Sequence, residues 1–132
     1  MPGCILRIDG TNFDPDAFLA ASGLVADTVY HRGDGRRGGR VSESGGFTVL
    51  VSEAGVEEFE EQIEAAVEFL RINNDELTRL ARFPGVETVL LDFGCAFPNQ
   101  RVAGRFFRLP LPLLRECAEV GVEVELSVYA EE

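Results

Sequence analysis

The sequence predicts an α+β fold, a mostly antiparallel sheet with helices packed on one face. Three observations predict it. Apolar segments of strand length recur from the start of the chain to its end, separated by helices with readable caps. The last segment, "VEVELSVY", alternates apolar and polar residues, the habit of an antiparallel or edge strand with one wet face. Finally, "DPDAFLAASGLVADTVY" and "LPLLRECAEVGVEVELSVY" echo one another. Both read proline, short amphipathic helix, glycine, strand and Val-Tyr, and both follow an arginine-bearing strand, so two strand-helix-strand units are expected.

In chain order, "GCILRIDG" is a short apolar strand ending at Gly10. A helix follows, with Asp14 as N-cap, Pro15 at the first helical position and Gly23 just past its end. Phe13 and Phe18 stand at the spacing of a hydrophobic staple. "VADTVYH" is a second strand, and "GFTVLVS" a third with a buried centre. The longest helix is predicted from Glu53 to about Ile72, with Ser52 as N-cap. Val56, Phe59, Ile63, Ala66, Val67 and Leu70 form its apolar stripe. Asn73 and Glu76 have the spacing of a capping box for a second helix with Leu77 and Leu80 inside, stopped by Phe83–Gly85. "VETVLLDFG" reads as the central strand and "CAFPNQ" as a loop. "VAGRFFRL" reads as a strand with Arg105, Phe107 and Leu109 on one face and Phe106 and Arg108 on the other. Pro112 opens the last helix, which buries Leu113, Leu114, Cys117 and Val120 and ends at Gly121. In the final strand, Val122, Val124, Leu126 and Val128 point inward and Glu123, Glu125, Ser127 and Tyr129 outward.

The 132 residues make one domain, long enough to close a core without staples. A flexible Arg/Gly loop is expected at about 32–45. The three cysteines, Cys4, Cys95 and Cys117, form no C-x-x-C pair and read as buried free thiols. No apolar run approaches the ~20 residues of a membrane span. The opening "MPGCILRIDG" lacks the apolar core of a secretory signal, so a cytoplasmic protein is expected.

All twelve basic residues are arginine, and the net charge is −11. That acidity disfavours nucleic acid and anionic membranes, whose phosphates need a basic footprint. The charge is uneven. Glu53 to Glu68 contains seven carboxylates and no base, while Arg32–Arg40 and Arg101–Arg115 are net positive. The acidic run is most simply a solvated helix surface, and it is also suited to a basic partner.

"FDPDAFLAASGL", "YHRGD" and "LPLPLLRECAEVGVEVELSVY" together resemble an uncharacterised bacterial family known only as a domain of unknown function. The resemblance covers most of the chain and rests on caps and core positions. It implies an α+β fold and carries no catalytic residue or cofactor across. The long Arg/Gly stretch after Asp34 departs from that pattern.

Among candidate sites, "HRGDGRRGGR" concentrates His31, Arg32, Arg36, Arg37 and Arg40 among glycines, a composition suited to an anion or a partner. It is not a P-loop, since G-x-x-x-x-G-K-[ST] is missing, and a solvated hairpin tip is the plainer alternative. His31 as a general base needs an orienting carboxylate, for which Asp9, Asp34 and Asp92 are the candidates. Cys95 or Ser52 is the candidate nucleophile, although no G-x-S-x-G elbow is present. Asp9, Asp14 and Asp16 cluster after the first strand, but capping and the helix dipole already account for Asp14 and Asp16, and no metal or cofactor is expected. The expected function is a non-enzymatic binding module, of an immunity or accessory type, whose acidic face meets a basic protein surface. A small enzyme or metabolite binder with a pocket near His31 is the alternative. A homodimer through the terminal strand's open edge is also expected.

Overall fold

The computed structural model describes residues 3–97 and 104–130. Five strands and four α-helices follow one another as β1 (Cys4–Gly10), α1 (Pro15–Ala20), β2 (Thr28–Tyr30), β3 (Gly45–Ser52), α2 (Phe59–Ile72), α3 (Asn74–Ala81), β4 (Thr88–Phe97), α4 (Leu111–Val120) and β5 (Glu123–Ala130). They build one sheet in the order β2-β3-β1-β4-β5, antiparallel throughout except for the parallel β4–β5 pair. The predicted α+β class with a mostly antiparallel sheet is the observed one.

Strand alternation creates the two layers. Leu6 and Ile8 of β1, Phe47 and Val49 of β3, and Val89, Leu91 and Phe93 of β4 point to one side and are buried. The helices cover that side with Ile63, Ala66 and Leu70 of α2, Leu77 and Leu80 of α3, and Leu113, Cys117 and Val120 of α4, all in one cluster. The other side is mixed, with Ile5, Leu50 and Leu90 set among charged and hydroxyl side chains. There Arg7 Nε donates to Asp92 at 3.1 Å, Ser127 Oγ donates to Asp92 at 2.5 Å, and the Thr28 and Thr48 hydroxyls meet at 2.7 Å.

The two expected strand-helix-strand units are present but differ. β4-α4-β5 joins adjacent parallel strands. β1 and β2 are also parallel to each other, since each runs antiparallel to β3, but β3 lies between them. α1 begins as predicted, with the Asp14 side chain accepting from the Asp16 and Ala17 amides and Pro15 in the first turn. Phe13 and Phe18 meet through a shared aromatic cluster. Each packs on both Phe47 and Phe83, at ring-centroid distances of 5.3–6.2 Å.

Several predicted boundaries move. β1, not β4, is the middle strand; β4 lies beside it and remains buried along most of its length. β4 continues through Cys95 to Phe97, where a loop is predicted, because its parallel pairing with β5 extends to Phe97 and Ala130. Residues 98–100 of that predicted loop lie outside the described residues. α2 starts at Phe59 rather than Glu53. Ser52 is held in β3 by its pairing with Cys4, and its hydroxyl accepts from Ala54 instead of capping a helix. A turn from Gly55 to Glu58 intervenes, closed by the Glu58 amide donating to Gly55 O, and glycine disfavours helix there. Asn73 stands at the N-cap of α3 as predicted, but its side chain makes no capping hydrogen bond. Its side-chain amide donates back to Phe69 O, and Glu76 turns to Arg79 and the Gly23 amide. α1 ends at Ala20, with the Ala21 amide donating to Phe18 O and Leu19 O as its cap, and Gly23 follows two residues later. By contrast, Gly121 ends α4 as predicted, in the left-handed conformation at φ 80°.

The strand predicted over "VAGRFFRL" is not seen in its described part, Gly104–Leu109, which is irregular; Val102 and Ala103 lie outside the described residues. Its alternation is met by helix-layer packing instead, with Phe107 edge-on to Phe59 at 5.2 Å. Leu114 is 42% exposed rather than buried. Of the predicted inward row, only Val122, just before β5, and Val124 approach burial, while Leu126 and Val128 are 36% and 50% exposed.

Candidate interaction surface

The Arg/Gly stretch folds as a small hairpin beyond β2. Gly33 donates to Ser42 O, Ser42 donates to Asp34 O, and Arg36 donates to Arg40 O, with a bridge between Gly35 and Val41. Its tip, Arg37–Gly39, needs φ of 78° at Gly38 and 76° at Gly39, which glycine adopts freely. The five predicted binding residues take up separate contacts. His31 Nε2 lies 2.5 Å from Asp16 Oδ2, and Nδ1 lies 3.3 Å from Asp34. Arg32 donates to Asn12 Oδ1 at 3.2 Å, and Arg36 stacks over Tyr30 at 5.9 Å. Arg37 and Arg40 are exposed and make no side-chain hydrogen bond or ion pair among the described residues.

With a carboxylate near each ring nitrogen, the protonated form of the imidazole is favoured. The hydrogen bond to Asp16 foremost raises its pKa above the ordinary histidine value; desolvation opposes this, and the charge of Asp16 with the hydrogen bond and charge of Asp34 add to the rise. Of the orienting carboxylates predicted for it, Asp34 meets His31, whereas Asp9 and Asp92 do not. Asp16, assigned from the sequence to the helix dipole, is the closer partner. No signal in the sequence separates these two roles.

The predicted nucleophiles do not reach His31. Tyr30, Asp9 and Thr88 are level across the sheet, so Cys95 stands roughly 20 Å further along β4 at the rise of a strand residue. Its thiol is buried, donates to Phe93 O at 3.7 Å, and has its pKa raised by that burial. Burial likewise pushes the Cys117 thiol up to about 11 and the Cys4 thiol still higher. All three cysteines are free and core-placed, the microenvironment of inert thiols. Among the described residues no cluster of three or more His, Cys, Asp or Glu side chains is arranged to hold a metal ion.

The acidic run is organised differently. Glu53, Glu57, Glu58, Glu60, Glu61, Glu64 and Glu68 are all exposed, and none forms a salt bridge among the described residues. α2 presents Glu60, Glu61, Glu64 and Glu68 because its stripe of Ile63, Ala66 and Leu70 is turned into the core, and Glu53, Glu57 and Glu58 stand on the segment that leads into it. The wholly buried Gln62 fixes that orientation, its side-chain amide donating to Gly55 O at 2.8 Å and Gly94 O at 2.9 Å.

Beside this face runs a groove of about 750 Å³. Val56, Phe59 and Ile63 line its apolar part, Glu57, Glu60, Glu61 and Glu64 one side, and Arg105–Arg108 with Pro110 the other. Phe107 packs into the wall against Phe59, which in turn meets Phe93 at 5.8 Å. Phe106 lines the same groove and is 99% exposed. A second groove, of about 530 Å³, shares Val56 and Glu57 and reaches Tyr129. An exposed aromatic flanked by arginines, beside a carboxylate-rich wall, has the composition of a protein-binding surface. The sequence signal for it is the "RFFR" run, whose alternation shows that one phenylalanine must face away from whatever holds the other.

These features define a two-layer α+β domain with a mixed open sheet face and an acidic, grooved helix face. The chain belongs to the family described as a domain of unknown function, DUF4279, whose model matches residues 2–131. No curated protein matches it, and no solved structure does. No helix among the described residues is long and apolar enough to cross a membrane.

Proposed function

We propose that this protein is a binding module that recognises a basic protein partner through the acidic face of α2 and the groove beside it. The observation that carries the reading is the set of seven exposed carboxylates from Glu53 to Glu68 with no salt bridge among the described residues. A basic partner gains long-range attraction from them, and the adjoining groove offers Phe106 as an apolar anchor. The alternative, a small enzyme or anion-binding protein centred on His31, draws only on Arg37 and Arg40 as unengaged cations.

The test is affinity purification of the tagged chain from its source cells, with two variants in parallel. One reverses Glu57, Glu60, Glu61 and Glu64 to Arg; the other replaces Arg32, Arg36, Arg37 and Arg40 with Ser. A stoichiometric protein lost on the first reversal and kept by the second supports the reading, provided circular dichroism shows both variants folded. Phe106→Ala then weakens the complex about tenfold or more, as truncation of a central aromatic does. Loss of the partner only in the arginine variant overturns the proposal and moves the site to the hairpin.

A further inference from the structure

We infer that the outer edge of β5 is a homodimer interface, in which two copies pair antiparallel about a two-fold axis at Leu126. Among the described residues β5 is the terminal strand of the sheet and pairs only with β4. Its eight residues, "EVELSVYA", contain no proline, lysine or arginine. Their register with β4 runs unbroken from Glu123 to Ala130, without a bulge to twist the edge away. Natural sheets protect a long open edge with such devices or with charge; β5 has only Glu123 and Glu125, both on its open face, which leaves its apolar row suited to a strand partner. The other edge, β2, has three residues and offers little to pair.

The face of β5 that should be buried is only partly covered in one copy. Val124 is half-buried, but Leu126 and Val128 on the same face are 36% and 50% exposed, with Tyr129 open on the other face. A second β5 alongside supplies the missing apolar neighbours.

Charge selects the register. With the axis at Leu126, Leu126 faces its own copy and Val124 faces Val128 of the second copy, an apolar row on the helix side. On the open side Glu125 faces Ser127 and Glu123 faces Tyr129, so no glutamate opposes another. Sliding the second strand two residues one way sets Glu125 against Glu125. Sliding it the other way brings Glu123 opposite position 131, also glutamate. A one-residue slip turns every side chain to the wrong face. The partner this edge fits is therefore a second copy of the chain, joined so that two sheets become one.

Sedimentation equilibrium of the full chain near physiological salt tests the state, and cysteine cross-linking tests the register. Dimer is expected to grow with concentration, and Leu126→Lys/Val128→Lys to weaken association at least tenfold while the dilute, monomeric protein melts at a similar temperature, since both sites are partly exposed. Leu126→Cys is expected to give a covalent dimer under mild oxidation, whereas Glu123→Cys, facing Tyr129, is not. The three native cysteines are buried and give no such background. A monomer at every concentration, a dimer indifferent to the two lysines, or cross-linking by Glu123→Cys but not Leu126→Cys each overturns the inference.

Discussion

His31 joins two segments that the sequence leaves unconnected, the first turn of α1 and the hairpin after β2, through its contacts to Asp16 and Asp34. Because Asp16 raises the native pKa of His31, this tie stabilises the fold most fully below the unfolded histidine value of about 6.5. It is lost as pH rises through the higher native value. Asp16→Asn should lower the His31 pKa in an NMR titration, where the single histidine gives an unambiguous signal. The stability gap between wild type and variant should be larger at pH 6 than at pH 8; a gap that widens toward pH 8 refutes the assignment. Gln62 presents the opposite case, a wholly buried amide whose Nε2 satisfies two carbonyls while Oε1 has no partner among the described residues. Gln62→Glu replaces that donor with a buried acceptor facing two carbonyl oxygens. It should cost about 3 kcal/mol or more in urea unfolding, against about 1–3 kcal/mol for Gln62→Leu. Equal losses would mean the two hydrogen bonds do not position α2. Neither role is visible in the sequence, because both depend on which segments the sheet brings together.

At the level of elements, legibility follows how local the determining physics is. α1 is readable because proline, aspartate and the staple phenylalanines act within one turn, and α4 because Gly121 takes the left-handed cap the sequence assigns it. α1 has only six residues, too few to persist on propensity alone. Its stability rests on the cap and on Phe18 beneath it. Asp14→Ala should therefore cost about 1 kcal/mol by denaturant melting, and Asp14→Ser should restore most of that loss. If Asp14→Ala is neutral, Phe18 packing alone holds the helix. Where tertiary pairing competes, local signals mislead. Ser52 has a good capping side chain, but strand pairing with Cys4 claims it, and Gly55 then delays α2 to Phe59. The alternation Arg105-Phe106-Phe107-Arg108 is strand-like, yet Phe107 finds its partner in Phe59, so Gly104–Leu109 stays irregular and Phe106 is left outside. The acidic face was legible from composition. The groove beside it was not, since its two walls lie far apart in the chain.

For the molecule as a whole, the controlling quantity is a net charge of −11, with the carboxylates of residues 53–68 concentrated on α2 and the turn before it. Exposed like charges within a Debye length repel, and that length shrinks from about 30 Å at 0.01 M salt to about 10 Å at 0.1 M. Folding gathers these carboxylates closer than they lie in the unfolded chain, so screening relieves the native state more than the unfolded one. The melting temperature should therefore rise with sodium chloride between about 0.01 and 0.3 M, and the rise should shrink when Glu57, Glu60, Glu61 and Glu64 become glutamine. The same titration separates the two proposed interfaces. A complex between the α2 face and a basic partner is attractive at long range and weakens with salt. Pairing of two β5 edges brings two strongly acidic copies together, so it tightens with salt until screening is complete. A melting temperature that does not respond to salt would show that the arginines distributed over the surface already neutralise the acidic face, removing the field on which recognition of a basic partner depends.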